Sequence, residues 1–144
     1  MPLQVPLQVP PQVPEQVSEQ VPEHVRKFLK FNIMQITNLL HYSTRSELRQ
    51  WLTENHALEK ECWVVMYRSR KPEWPAIAYI DVVEEALCFG WIDSTLKRLP
   101  DGRLVQRLSP RRKKSHWTQL NIERCKDLES RGLMTEAGRK SLPN

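Results

Sequence analysis

Glycine is scarce in this 144-residue sequence, which contains four isolated glycines. Neither G-x-x-x-x-G-K-S/T nor G-x-G-x-x-G occurs, so the glycine-rich loops that hold nucleotide phosphates are excluded. The nucleophile motif G-x-S-x-G is also absent. Long apolar runs are missing as well, since no stretch approaches the roughly 18 apolar residues of a membrane span. The sequence therefore predicts no membrane insertion.

Cysteine and histidine are few and scattered. The three cysteines (Cys62, Cys88 and Cys125) are odd in number, and none of them forms the close pair typical of a zinc site. The four histidines show no His-x-x-x-His spacing. We therefore expect reduced core cysteines in a cytoplasmic protein, with neither a metal site nor a cofactor.

Positive charge exceeds negative charge and is unevenly distributed along the sequence. The sequence has 22 Lys and Arg against 17 Asp and Glu, a net charge of +5. Residues 97 to 144 carry 13 of these cations and 5 of the acids, so their net charge is +8. An anionic partner would therefore meet the C-terminal third of the chain.

The first 25 residues differ in composition from the rest. Six successive tetrapeptides, from PLQV to PEHV, cover residues 2 to 25 and hold six of the 11 prolines. Because proline removes backbone donors, this segment is predicted to be a disordered tail, with a proline-rich docking segment as the alternative. Apolar spacing then predicts a helix over about 23 to 38, which supplies a possible linker at 26 to 37. Met34 within it is a candidate alternative start that would leave 111 residues.

Local signals from residue 44 onward alternate between helix and strand. Thr44 and Glu47 have the spacing of a capping box, which predicts a helix over about 45 to 55. The β-branched and aromatic run Cys62–Tyr67 predicts a central strand. Residues 68 to 75 contain two prolines three positions apart and are predicted to form a loop.

Three further signals predict the remaining helices. Asp81 is expected to open a helix that ends before Gly90, because glycine suits the position just after a helix. Another helix is predicted over about 118 to 131 from its apolar spacing. Thr135 is a candidate cap for a last short helix.

A turn signal at Pro100-Asp101-Gly102 predicts a β-hairpin with arms at 92 to 99 and 103 to 108. The chain is thus predicted to be an α+β protein. A small antiparallel sheet, made of one strand and the hairpin, would pack against three to four helices in a globular domain over 38 to 144.

The segment LCFGWIDS, at the junction between a helix and the hairpin, contains the only catalytic candidate. Asp93 is a weak candidate for a buried acid, and its alternative role is to accept backbone hydrogen bonds in the turn. Cys88 is expected to be buried and inert, because it lies near a helix C-terminus and no base stands beside it in the sequence.

A run of four cations precedes the helix predicted over 118 to 131. Arg111, Arg112, Lys113 and Lys114 are followed by Ser115 and then Trp117. Guanidinium groups bind phosphate or carboxylate, the helix dipole favours an anion, and a tryptophan can stack on a planar group. The alternatives are a solvated loop with Trp117 in the core, or a protein-docking patch.

The hairpin returns residue 109 towards residue 92, which brings the two segments together. We expect one ligand pocket whose residues are Trp91, Asp93, Arg111, Arg112, Lys113, Lys114, Ser115, Trp117 and Asn121. Asp93 and Arg111 would pair there, either as a wall of the site or as a structural salt bridge.

Three segments, EEALCFGWIDS, SPRRKKSHWTQLN and LESRGLMTEAG, closely resemble the YdeI/OmpD-associated protein family, also called bacteriocin-protection proteins. The resemblance covers roughly residues 38 to 140 and excludes the tail. It implies a small bacterial cytosolic α+β protein, and it assigns no reaction. The positions that match its motifs are Glu85, Gly90, Trp91, Asp93, Ser109, Pro110, Arg111, Arg112, Ser115, Trp117, Asn121, Gly132 and Gly138.

Three functional hypotheses follow from these residues. The leading one is a non-enzymatic protein whose basic loop binds a small anion or a nucleic acid. The second is a stress- or envelope-linked adaptor that binds a protein partner. The third is a small-molecule enzyme that uses Asp93 together with an arginine clamp.

Overall fold

The computed structural model of the chain describes residues 22–24 and 36–143. The predicted tail and linker helix, together with Met34, lie almost entirely outside these residues. Residues 36 to 38, at the end of the helix predicted over about 23 to 38, are not helical.

Nine elements form the part of the chain from residue 36 to residue 143. They are β1 (Leu39–Leu40), α1 (Arg45–Asn55), β2 (Cys62–Tyr67), β3 (Ile77–Ala78), α2 (Tyr79–Cys88), β4 (Trp91–Arg98), β5 (Leu104–Pro110), α3 (Gln119–Ser130) and α4 (Glu136–Ser141). The fold is α+β, as the sequence predicts.

The sheet is built around β2. One edge of β2 pairs in parallel with β1 near its start and with β3 near its end. Its other edge pairs antiparallel with β5, which in turn pairs with β4 at the outside. The antiparallel part confirms the predicted strand and hairpin. The sequence did not predict β1 and β3, because two-residue strands are too short to show a period.

The hairpin has the predicted register. Ile92 lies opposite Ser109 and Trp91 lies opposite Pro110, so the two chemically unusual segments do meet. The turn is closed by the Gly102 amide, which donates to the Leu99 carbonyl at 2.9 Å. A bulge interrupts β4 after Asp93.

Threonine side chains cap three helices. The predicted capping box at Thr44 and Glu47 is present at the start of α1. Thr118 accepts from the backbone of α3 and Thr135 from that of α4. The predicted start of α2 at Asp81 is wrong, since the helix begins at Tyr79. The backbone passes directly from β3 into this helix through Ala78, without a side-chain cap.

The core occupies both faces of the sheet, because successive side chains of a strand point to opposite sides. Val64 and Met66 of β2 join the larger cluster with the helices, whereas Trp63 and Val65 join a smaller cluster on the other face. No helix in the described ranges is both long and apolar enough to cross a membrane.

Candidate anion-binding site

The loop after β5 folds around the side chain of Arg111. The Arg111 guanidinium lies over the ring of Trp117, 3.6 Å from the ring centroid. Its Nη1 donates to the Ser115 hydroxyl at 3.1 Å and to the His116 carbonyl at 3.2 Å. The Arg111 amide donates to the Gly90 carbonyl at 3.0 Å, which ties the loop to the start of β4. We call residues 111–117 the basic loop.

Among the residues that the structure describes, no carboxylate forms an ion pair with Arg111. Its Nε and Nη2 are buried without hydrogen-bond partners in the described part of the chain. Burial lowers the pKa of the guanidinium, although Cys125 and Asp93 act in the opposite direction. Arg111 thus organises the basic loop and carries a desolvated positive charge with which no carboxylate of the described residues forms a direct ion pair.

The short helix α4 packs against the end of α2 through its backbone. The Cys88 carbonyl accepts from both the amide and the hydroxyl of Thr135. A Cβ at Gly138 would lie 2.8 Å from the Cys88 carbonyl carbon and closer still to its oxygen. Gly90 faces the same helix with a φ of +75°, and a Cβ there would lie 2.9 Å from the Ala137 carbonyl oxygen. This close approach places the end of α4 beside the basic loop.

The basic loop and the end of α4 form the two walls of a cleft of about 550 Å³, which we call the basic cleft. Five cations line the basic cleft: Arg111, Arg112, Lys113, Lys114 and Lys140. The hydroxyl-bearing residues Ser115 and Ser141 also line it, and no Asp or Glu is among its lining residues. The arrangement can supply several charge-assisted hydrogen bonds to an anion.

A family model described as Domain of unknown function (DUF8412) matches residues 40–141, which include both walls of the basic cleft. The chain belongs to this family. Neither a curated protein nor a solved structure matches the chain. The resemblance to the YdeI/OmpD-associated proteins stays a prediction.

Within this DUF8412 domain, six of the nine predicted pocket residues line the basic cleft. They are Arg111, Arg112, Lys113, Lys114, Ser115 and Trp117. Trp91 does not line the cleft, because it is 1% exposed and packs edge-on against Trp51 in the core. Asn121 is also outside it and accepts a hydrogen bond from Arg124. The cleft lining includes no residue from the first turn of α3, so the predicted helix-dipole contribution is not found there.

Asp93 is held by a residue that sequence reasoning did not place in the site. The Tyr79 hydroxyl donates to Asp93 Oδ2 at 2.8 Å, and in the described residues no ion pair joins Asp93 to Arg111. Burial raises the pKa of Tyr79, and the hydrogen bond and charge of Asp93 raise it further. Asp93 does not line the basic cleft. The arginine clamp proposed for it in an enzyme is therefore not assembled around this carboxylate.

Lys140 and Ser141 are the polar residues of the cleft that the sequence did not reveal. They lie more than twenty residues after the basic loop and reach it only because α4 packs on the end of α2. Gly138 matches a motif position of the sequence, but the local sequence does not indicate which backbone this glycine will contact.

All three cysteines are buried and free, as predicted. Burial raises the pKa of the Cys88 thiol to about 11, even though Arg49 nearby acts to lower it. Burial also raises the pKa values of Cys62 and Cys125. The described part of the chain contains no group of three His, Cys, Asp or Glu residues that could hold a metal ion.

These thiols should be unreactive in the folded protein, since reaction requires an accessible thiolate. We expect Ellman's reagent at pH 8 to modify none of the three within minutes, and all three after unfolding in guanidinium chloride. Rapid modification of Cys88 in the native protein would contradict the burial described above.

Proposed function

We propose that this protein is non-enzymatic and binds a phosphate- or carboxylate-bearing ligand in the basic cleft. One observation carries the proposal: five cations share the lining of a single cleft to which no acidic residue contributes. Cations on a protein surface are ordinarily interspersed with acids that neutralise them. A cleft of one sign concentrates its field and attracts an anion.

The chemistry of the lining fits an anion in detail. Arg112, Lys113 and Lys114 are exposed, so their donors can turn towards a ligand. Two serine hydroxyls can add neutral hydrogen bonds. An anion in the cleft would also compensate the buried charge of Arg111, whose desolvation is otherwise balanced by no carboxylate within 4 Å in the described residues.

A small anion is favoured over a nucleic acid by the position of Trp117. Arg111 covers one face of this ring, and the ring packs against the core. Trp117 is therefore poorly placed for the base stacking on which single-strand binding commonly depends. Nucleic-acid binding is the second candidate, because the exposed run Arg112–Lys114 could contact successive phosphates.

We further propose that the protein acts in the bacterial cytoplasm, in keeping with its resemblance to the YdeI/OmpD-associated family. The adaptor hypothesis and the enzyme hypothesis stay predictions. The enzyme hypothesis has less support, because Asp93 does not line the basic cleft and its Oδ2 already accepts from Tyr79.

Removing three exposed cations of the basic loop tests the proposal. We expect the combined variant Arg112→Ala, Lys113→Ala and Lys114→Ala to weaken inorganic phosphate binding by about tenfold or more, because the loss of one charge-assisted hydrogen bond of about 1.5 kcal/mol already corresponds to that factor. Titration calorimetry with the full chain measures this. Arg111 stays unchanged because it organises the loop.

A matched control removes the same net charge elsewhere. The variant Lys60→Ala, Arg70→Ala and Lys71→Ala replaces three exposed cations that do not line the basic cleft. It should retain most of the affinity for phosphate, and equal losses in the two variants would contradict a localised site. A titration with single-stranded DNA across a salt series tests the second candidate, nucleic-acid binding. If the logarithm of the DNA-binding constant falls with the logarithm of the salt concentration with a slope of about −3, as expected for four phosphate contacts, the nucleic-acid candidate would be favoured instead.

A further inference from the structure

A second cavity lies beside the basic cleft and is lined mainly by apolar side chains instead of cations. It is a groove of about 400 Å³ between α3 and the C-terminal segment Leu142–Pro143, and we call it the apolar groove. Its apolar lining residues are Ile122, Cys125, Met134, Leu142 and Pro143. Cys125 and Met134 belong to the buried core, so the floor of the groove is continuous with the core.

The two charged residues that also line the apolar groove are already paired. Glu129 accepts from Arg139 Nε at 2.6 Å and from Nη2 at 2.9 Å. Lys126 lies 3.4 Å from Glu123. The apolar groove therefore offers an occupant apolar surface and no uncompensated charge, whereas the basic cleft offers charge that is not compensated.

The two cavities adjoin each other. Leu142 and Pro143 line both of them, so the basic cleft and the apolar groove lie along the same C-terminal segment. Each cavity has a volume within the range of small-molecule sites. One molecule that reached across this segment would contact cations at one end and apolar side chains at the other.

We infer that the ligand is a single-chain amphiphilic anion, with its acidic head in the basic cleft and its alkyl chain in the apolar groove. This inference rests on the proposed function and names its ligand class. A polar anion would leave the groove unfilled, and an uncharged apolar molecule would leave the five cations without a counter-ion. An alkyl chain ending in a phosphate or a carboxylate complements both surfaces.

An alkyl phosphate series tests the inference on the full chain. The probes are inorganic phosphate, ethyl, butyl, hexyl and octyl phosphate, each used below the concentration at which it forms micelles. We expect the affinity measured by calorimetry to rise by up to about fourfold for each added methylene that enters the groove, since burial of apolar surface drives the transfer. An octyl carboxylate should show the same preference over acetate.

Two positions on α3 provide the variant and its control. Ile122 lines the apolar groove, whereas Leu120 is 59% exposed and does not line it. We expect Ile122→Glu to abolish the chain-length dependence and to leave inorganic phosphate binding unchanged, while Leu120→Glu alters neither. Ile122→Thr serves as a milder variant if Ile122→Glu does not fold, and it should weaken octyl phosphate binding several-fold.

The outcomes separate this inference from the proposed function. Equal affinities for inorganic and octyl phosphate would overturn the inference and leave the basic cleft as an anion site. Failure of every anion to bind would overturn both. If Leu120→Glu also abolished the dependence of affinity on alkyl-chain length, the alkyl chain would not lie in the apolar groove, and the inference would be overturned. Binding to phosphatidylglycerol vesicles but not to monomeric octyl phosphate would overturn the inference, because the ligand would then be a membrane surface and not a free amphiphile.

Discussion

Replacing Glu85 with alanine should lower the free energy of unfolding by about 3–5 kcal/mol, the range measured when one partner of a buried ion pair is removed. Glu85 is only 2% exposed. Its Oε2 accepts from Arg45 Nε at 2.8 Å, and its Oε1 accepts from Arg49 Nη1 at 3.0 Å. Urea unfolding followed by circular dichroism measures the loss.

The loss is expected to come mainly from Arg49. Arg45 keeps Asp81 at 2.9 Å and Glu84 at 3.0 Å, so its charge remains partly compensated without Glu85. Arg49 has Glu85 as its only carboxylate partner among the ion pairs of the described residues. The variant would therefore leave a half-buried guanidinium next to the core without a counter-ion.

A double-mutant cycle isolates this pair. Arg49→Ala combined with Glu85→Ala should cost clearly less than the sum of the two single changes, because the second change removes a charge that is already unpaired. Glu123→Ala is the control, since Glu123 is exposed, and we expect a change within about 0.5 kcal/mol. Strictly additive losses would show that the carboxylate and the guanidinium do not depend on each other.

Replacing Gly138 with alanine should destabilise the protein by about 1–3 kcal/mol, the usual cost of overpacking. In an unconstrained helix the same change stabilises by about 1 kcal/mol, because alanine is the better helix former. The sign is expected to reverse here because the added methyl would clash with the Cys88 carbonyl. That carbonyl belongs to the backbone at the end of α2 and cannot rotate away like a flexible side chain.

The same substitution should weaken inorganic phosphate binding by about tenfold, since one charge-assisted hydrogen bond is worth about 1.5–3 kcal/mol. A displaced α4 moves Lys140 and Ser141 away from the basic loop. Unfolding curves and phosphate titrations of the same preparation measure both effects. Glu136→Ala, an exposed change in α4, is the control for the helix itself. A variant more stable than the parent protein would show that α4 does not depend on this close contact.

Glu85 and Gly138 belong to one chain of buried contacts that positions α4. Arg49, held by Glu85, also donates to the Leu133 carbonyl in the segment between α3 and α4. Thr135 and Gly138 then hold α4 against Cys88. The C-terminal wall of the basic cleft is thus positioned by buried contacts that involve none of its own cations.

Much of the fold was predictable because the signals were local. The capping box at Thr44, the run Cys62–Tyr67 and the turn at residues 100–102 each act within a few residues, and all three are found as predicted. The hairpin also made the meeting of Ile92 with Ser109 predictable, since a tight turn sets the register of its arms. The start of α2 was missed because a short parallel strand, β3, leads into it without a capping side chain.

The site was predictable only along one stretch of chain. The basic loop could be identified as a run of cations, and its six predicted residues do line the cleft. Trp91 could not be assigned in this way, because an aromatic ring beside a charged segment packs equally well in a core or in a pocket. Its contact with Trp51, forty residues earlier, decides for the core.

By itself, the sequence determined the α+β class, the caps at Thr44 and Thr135, the hairpin and the concentration of positive charge in the C-terminal third. These features arise from neighbouring residues, whose interactions do not depend on the rest of the chain. Only the tertiary structure decided that Tyr79 holds Asp93, that Lys140 joins the basic loop, and that an apolar groove adjoins the cleft. Those features join residues that are distant in sequence, and such contacts form only when the whole core packs.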